Sequence, residues 1–395
     1  MKRTIVLVCL FLVALPAWSA KTITVVQLAE MMHQMQTEKK TDAEIASALK
    51  QVELSEELTL GTMNALIKSA PGPMVTEQIY VLEAKAATLP APALDQPSTP
   101  APDAALQTEI LARVARYAST SYAQLPRLTA TKITARFQDN VEAVPTTSGM
   151  SFSAKGVSVG SLLVTANRFV HFIRSSASRV VSQGGAEILP KTKDKTPWGA
   201  NGLIALEGQP PVLSNVLKEA QESGQLTFLR WETVAGKTTA VFRYAVDRKQ
   251  THYAVNYCCF PDVEQIGTAR FGNAGQTMTA AGSGVNAGGN VQTLANWKPW
   301  KDTVPYHGEL FVDPETGIVL RLILEADFKT SDVVHQEDNR IDYGPVTVGG
   351  KPLVVPLRSI VVTEIVQNGD SQAGGGYNTR HVLLTSEYKG YAPAL

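Results

Sequence analysis

The residues of this chain whose types could do chemistry are few and far apart. His307 and Glu309, in Tyr306-His-Gly-Glu-Leu-Phe-Val312, stand at strand spacing on one face, an arrangement that suits proton transfer between an imidazole and a carboxylate. A solvated hairpin face explains the pair more simply. Gly156-Val-Ser158-Val-Gly160 spells a hydrolase nucleophile elbow, which requires a strand before it and a helix after it. Here the β-branched and aromatic run Leu162–Arg174 follows, so a glycine-flanked turn is the expectation and Ser158 is not assigned catalysis. The histidines at 33, 171, 252, 307, 335 and 381 show no metal-ligand spacing, and Gly282-Ser283-Gly284 lacks the βαβ setting of a dinucleotide fingerprint. No catalytic residue, metal or cofactor is assigned.

Cys258 and Cys259 are adjacent, and neighbouring Cα atoms lie about 3.8 Å apart, below the ~4.4–6.8 Å of an unstrained disulfide. They read either as two thiols closing a strand end or as a strained vicinal disulfide stiffening the Phe260-Pro261-Asp262 turn. Trp297, Trp300 and Tyr306 around Lys298 and Lys301 could form an aromatic platform for a sugar or an apolar chain, though packing of a strand entry accounts for them better.

The elements that would position any such groups are clearer. Residues 1–19 read as a signal peptide: Lys2-Arg3, an apolar stretch from Ile5 to Leu15, and Ala17-Trp18-Ser19 before a cut after Ser19 or Ala20. That stretch is too short for a retained anchor, and no later segment is long and apolar enough to span a bilayer. The chain is therefore expected in the periplasm or outside the cell. Its basic and acidic residues number 36 each, and removal of Lys2 and Arg3 leaves 34 against 36, a net of −2 that excludes an electrostatically driven nucleic-acid binder.

Residues 20–89 should form a small helical domain. Thr24 with Gln27 and Thr41 with Glu44 match capping boxes ahead of apolar periodicity, and Met31, Met32 and Met35 read as core filler. Residues 90–102 hold five prolines and should be an extended, semi-rigid linker. From 103 to 395 a helix capped by Asp103 leads into strand Leu128–Phe137, and strands then dominate, interrupted by a helix near 211–223 and a glycine-rich loop at 271–290. Asp313-Pro-Glu-Thr-Gly317 and Val348-Gly-Gly-Lys351 are turn signals that join strands into a meander.

Alternation puts Leu229, Trp231, Phe242, Tyr244, Leu320, Leu322 and Leu324 on one sheet face, while Val319 and Ile323 keep the other face partly apolar. The expectation is an α+β chain in which one face packs on helices. The other borders either a second layer or an apolar cavity walled by those seven residues.

The opening helix Asp103–Ser121, the strand Leu128–Phe137 and the late hairpin around Val-Asp-Pro-Glu-Thr-Gly-Ile-Val-Leu-Arg-Leu-Ile-Leu-Glu-Ala-Asp327 give residues 103–390 a resemblance to the LolA-like superfamily of periplasmic lipoprotein carriers. Segments such as Gly224–Val246 and Ile341–Ser359 are also similar to uncharacterised secreted bacterial proteins. The resemblance implies an incomplete antiparallel barrel, its apolar concavity plugged by helices, that binds a lipid or a lipoprotein acyl chain. The alternative expectation is an envelope interaction protein that docks a partner through residues 20–89; a secreted hydrolase is a third.

Overall fold

The computed structural model describes residues 21–139, 141–145, 149–153, 156–160, 163–167, 169–188, 205–206, 212–258, 269–270, 277–278, 300–366 and 379–394. The proposed leader and Cys259 lie outside these residues, as does most of the glycine-rich loop. Helices α1 (Val25–Thr37) and α2 (Asp42–Leu49) each begin with the capping box legible in the sequence, Thr24 with Gln27 and Thr41 with Glu44. Each cap satisfies backbone N–H groups that the first turn cannot, worth about 1 kcal/mol. Helices α3 (Leu60–Ser69) and α4 (Pro73–Lys85) complete the helical segment around a core of Leu28, Met32, Ile45, Leu49, Val75 and Ile79. Lys21–Ile23 and Val52–Leu54 pair in parallel beside it, a short sheet the sequence did not announce.

The rest is built on one ten-stranded antiparallel sheet. Its strands in chain order are β1 (Leu128–Gln138), β2 (His171–Gln183), β3 (Ala186–Ile188), β4 (Leu226–Val234), β5 (Lys237–Val246), β6 (Tyr306–Val312), β7 (Val319–Ala326), β8 (Val334–Val348), β9 (Lys351–Val366) and β10 (Thr379–Pro393). Spatial order is β4 through β10, then β1, β2 and β3, so every neighbour is also a chain neighbour except β10 and β1. The sheet does not close, because β4 and β3 remain its edges; this is a half-barrel. The stretch around Ser158, expected as a glycine-flanked turn, is a strand, Gly156–Gly160, paired with Gly149–Ser153.

Both sequence-legible turns form. Gly349 and Gly350 take φ of 56° and 76° between the paired residues Val348 and Lys351. In the other turn Asp313 Oδ1 accepts from the backbone N–H of Glu315 and Thr316, and Gly317 has φ of 74°. That glycine is also required sterically: a Cβ there would collide with the Arg113 backbone.

Two β-bulges correct the expected wall. Between β4 and β5 the register slips between Phe228 and Arg230, so Leu229 is the extra residue and turns to the opposite face from Trp231, Phe242 and Tyr244. Between β6 and β7 it slips at Phe311/Val312, which turns Leu320 away from Leu322 and Leu324 in the same manner. Strict alternation fails at both places because a bulge resets the phase by one residue.

Helix α5 (Ala104–Arg116), its π-helical continuation Tyr117–Tyr122, and α6 (Leu213–Ser223) cover the inner face. Ile110, Val114, Ala118 and Tyr122 from the first, with Leu213, Val216, Leu217 and Ala220 from the second, pack on Phe242, Tyr244, Leu322 and Leu324. Those four strand residues have no solvent exposure. They form a core closed by the chain's own helices and do not border an open hollow.

The outer face is covered by the N-terminal helices. Val81, Ala84 and Ala87 pack on Phe137, Ile360, Val362 and Leu383. Beside this apolar patch, Glu57 accepts from Arg340 at 2.6 Å and from Arg321 at 2.7 Å, and Glu83 receives both terminal nitrogens of Arg358. The proline-rich segment is anchored and not free: Pro90 O accepts from Glu57 N at 2.8 Å, and Pro100 O accepts the Trp231 indole N–H at 2.8 Å.

A candidate binding cleft at the mouth of the half-barrel

A cleft of about 450 Å³ opens where the end of α5 meets two hairpin tips. Arg113 and Arg116 from the last turn of α5 form one side, with Tyr117, Thr120 and Ser121 of the π-helical segment beneath them. Glu315, Thr316 and Ile318 come from the β6–β7 turn, and Pro352, Leu353 and Val354 from the start of β9. Leu125, in the connection to β1, completes the floor.

Local chemistry explains why these parts converge. The Arg113 guanidinium donates to Pro314 O at 2.5 Å and pairs with Glu109 one turn back at 2.5 Å, tying the helix to the hairpin tip. Gly317 lets the two backbones touch. The helix then widens to i→i+5 bonding, with Ala123 N donating to Ala118 O at 3.0 Å. Such π-helical turns are rare and concentrate at functional sites, because the extra residue per turn re-aims side chains. Burial pushes the Tyr117 phenol well above its ordinary range, so it stays a neutral wall residue.

Two other polar clusters lie on the sheet. On the inner face, Tyr253 donates to Glu337 Oε1 at 2.5 Å and accepts from Asn339 Nδ2 at 3.1 Å. Burial pushes the Glu337 carboxyl up to about 7, the neighbouring Asp338 charge adding to the rise against the Tyr253 hydrogen bond. Glu337 Oε2 and the hydroxyl of Thr363, its direct cross-strand partner, are buried without hydrogen bonds. Nearby Glu219 of α6 accepts from Tyr306 Oη at 2.7 Å.

On the outer face His307 and Glu309 are drawn apart. His307 meets Asp327 at 2.9 Å, a hydrogen bond that raises its pKa, whereas Glu309 is taken bidentately by Arg230 at 2.8 and 3.1 Å. The two do not form an acid–base pair. Trp300 packs edge-on against Phe328 and Tyr306 is buried, so these aromatics serve packing; Trp297 lies outside the described residues. Among the described residues no group of three or more His, Cys, Asp or Glu side chains could hold a metal.

Of the seven expected wall residues, none lines the cleft. Trp231, Phe242, Tyr244, Leu322 and Leu324 share the inner-face core, while Leu229 and Leu320 share the outer one. The cleft residues escaped sequence reasoning because the end of α5 lies some two hundred residues from the two hairpin tips it meets, and the turn signals at 313–317 and 348–351 do not say what packs beside them. Cys258 ends the strand Ala254–Cys258, and its pairing with Cys259 lies outside the described residues.

No family model matches this chain, and no curated protein matches it. Among solved structures it is similar to the crystal structure of a DUF1329 family protein from Desulfovibrio piger, at a TM-score of 0.24 and 8% identity, over 73% of this chain and 93% of that one.

Proposed function

We propose that this chain is an exported, non-catalytic binding module that takes the apolar part of a lipid-like ligand at the mouth of its half-barrel. The observation that carries the reading is the cleft itself. It is about 450 Å³, within the ~300–1,000 Å³ usual for small-molecule sites, and Leu125, Leu353 and Val354 of its floor join the inner-face core. The export half of the proposal rests on residues 1–19. Among the described residues no helix is long and apolar enough to cross a membrane.

The test is native mass spectrometry of the protein purified without detergent, followed by organic extraction, alongside titration with an environment-sensitive fluorescent fatty acid. Saturable binding that is abolished by Leu353→Glu, with the fold intact by circular dichroism, supports the reading. No co-purified lipid and no saturable signal would count against it. The N-terminal helices are assigned the role of a fixed cover, because Glu57, Glu83 and the apolar side of α4 are already spent on the sheet.

A further inference from the structure

The cleft pairs an oily floor with a cationic rim, and that asymmetry bears on the ligand's other end. Leu125, Ile318, Leu353 and Val354 are the apolar floor. The rim cations are Arg113 and Arg116, one helical turn apart in their Cα positions, and the facing rim carries one carboxylate, Glu315. Arg113 is committed to Glu109 and the Pro314 carbonyl. Arg116 is exposed and enters no ion pair or hydrogen bond through its guanidinium among the described residues. Next to it on the π-helical segment, Thr120 uses its hydroxyl proton on the Arg116 carbonyl, while exposed Ser121 keeps its own.

Resting on the function proposed above, we infer that the ligand is a single-chain amphiphile with an anionic head group, the chain on the apolar floor and the head on Arg116 and Ser121. The volume selects one chain, since about 450 Å³ is near the small end of the range for ligand sites. Charge selects the head. A planar guanidinium offers two parallel N–H donors that match a carboxylate or phosphate, and the hydroxyl adds a third donor. A cationic head would face the Arg116 guanidinium, the rim cation not already taken by a carboxylate, since Arg113 is paired with Glu109. A neutral head would leave the guanidinium's donors to water.

Four probes of equal chain length separate the contributions: decanoate, decyl phosphate, decanol and decyltrimethylammonium, each below its micellar concentration and titrated calorimetrically into the full-length mature protein. Decanoate or decyl phosphate should bind at least tenfold tighter than decanol, and decyltrimethylammonium weakest. Arg116→Glu should erase that tenfold advantage of decanoate and decyl phosphate over decanol. Because Arg116 is exposed, this variant should fold normally, which a thermal melt verifies. Leu353→Glu should abolish binding of every probe. Equal affinities for all four probes, unmoved by Arg116→Glu, would overturn the anionic assignment and leave apolar binding standing. Failure of every probe to bind would remove both.

Discussion

The two faces of the sheet are covered by helices in opposite ways. Inside, α5 and α6 present Ile110, Val114, Leu213, Val216 and Leu217 to aromatic and aliphatic strand residues, a largely apolar contact with polar links at Glu219–Tyr306 and Arg113–Pro314. Outside, the N-terminal helices place Glu57 and Glu83 on Arg321, Arg340 and Arg358, with Asp342 between the first two. These two carboxylates and Asp342 match the three guanidiniums one for one. Burial pushes Asp342 up, but Arg321 and Arg340 together hold it well below the usual carboxylate range. Arg321 also lies 5.2 Å from the centre of the Phe311 ring, which fixes its plane. The lesson is a division of labour: charge pairing sets the geometry of the outer cover, and apolar burial carries most of the inner one.

The sharpest way to break this comparison is to remove one charge from the outer face. Glu57→Ala leaves Arg321 and Arg340 with Asp342 as the one carboxylate they still share and should cost roughly 2–4 kcal/mol in urea denaturation. Combining it with Arg340→Met should recover part of that loss. A cost below about 1 kcal/mol would show that the outer contact is carried by Val81 and its apolar neighbours alone.

On the inner face Leu217→Ala should cost about 2–5 kcal/mol, through lost burial and the cavity left behind. Unlike the outer variant, its effect should be indifferent to salt and pH, and denaturation at two ionic strengths checks this.

The third prediction concerns the carboxyl that breaks the apolar rule inside. Glu337 holds its proton up to about 7 when folded, against an ordinary value of 4.5. Between those values the folded state binds more protons than the unfolded chain. Stability should therefore be greatest below the lower value and fall as pH rises through the upper one, by on the order of 2–3 kcal/mol. Asp338, also pushed up to about 7 by burial, adds in the same direction. Glu337→Gln should flatten the slope over that window; an unchanged slope would assign it elsewhere.

Smallest of all, Glu109→Ala breaks an exposed i,i+4 pair with Arg113 and should change stability by less than about 0.5 kcal/mol. A larger loss would mean that the Arg113–Pro314 link depends on Glu109 to aim it.

Much of the fold was legible because it is set by neighbours in the chain. Thr24 and Thr41 cap their helices through residues three positions on, and Asp313–Gly317 and Gly349-Gly350 turn the chain by their own backbone preferences. Apolar runs in β5 to β9 marked the strands, and short turns ordered them. The bulges at Leu229 and Leu320 left no mark in the sequence, because a bulge is decided by how two strands settle on the layers above and below them. A phase reset of one residue then sends a leucine to the other face.

The sequence by itself determined a meander of strands, the capped helices before it and the turns that join its strands. Tertiary structure alone decided that Glu57 and Glu83 meet arginines more than two hundred residues away, and that the end of α5 meets two hairpin tips to leave a cleft. The physical reason is range. Capping and turn preferences act over three or four residues, whereas ion pairing and apolar burial reward any two groups the fold brings together, whatever the chain length between them.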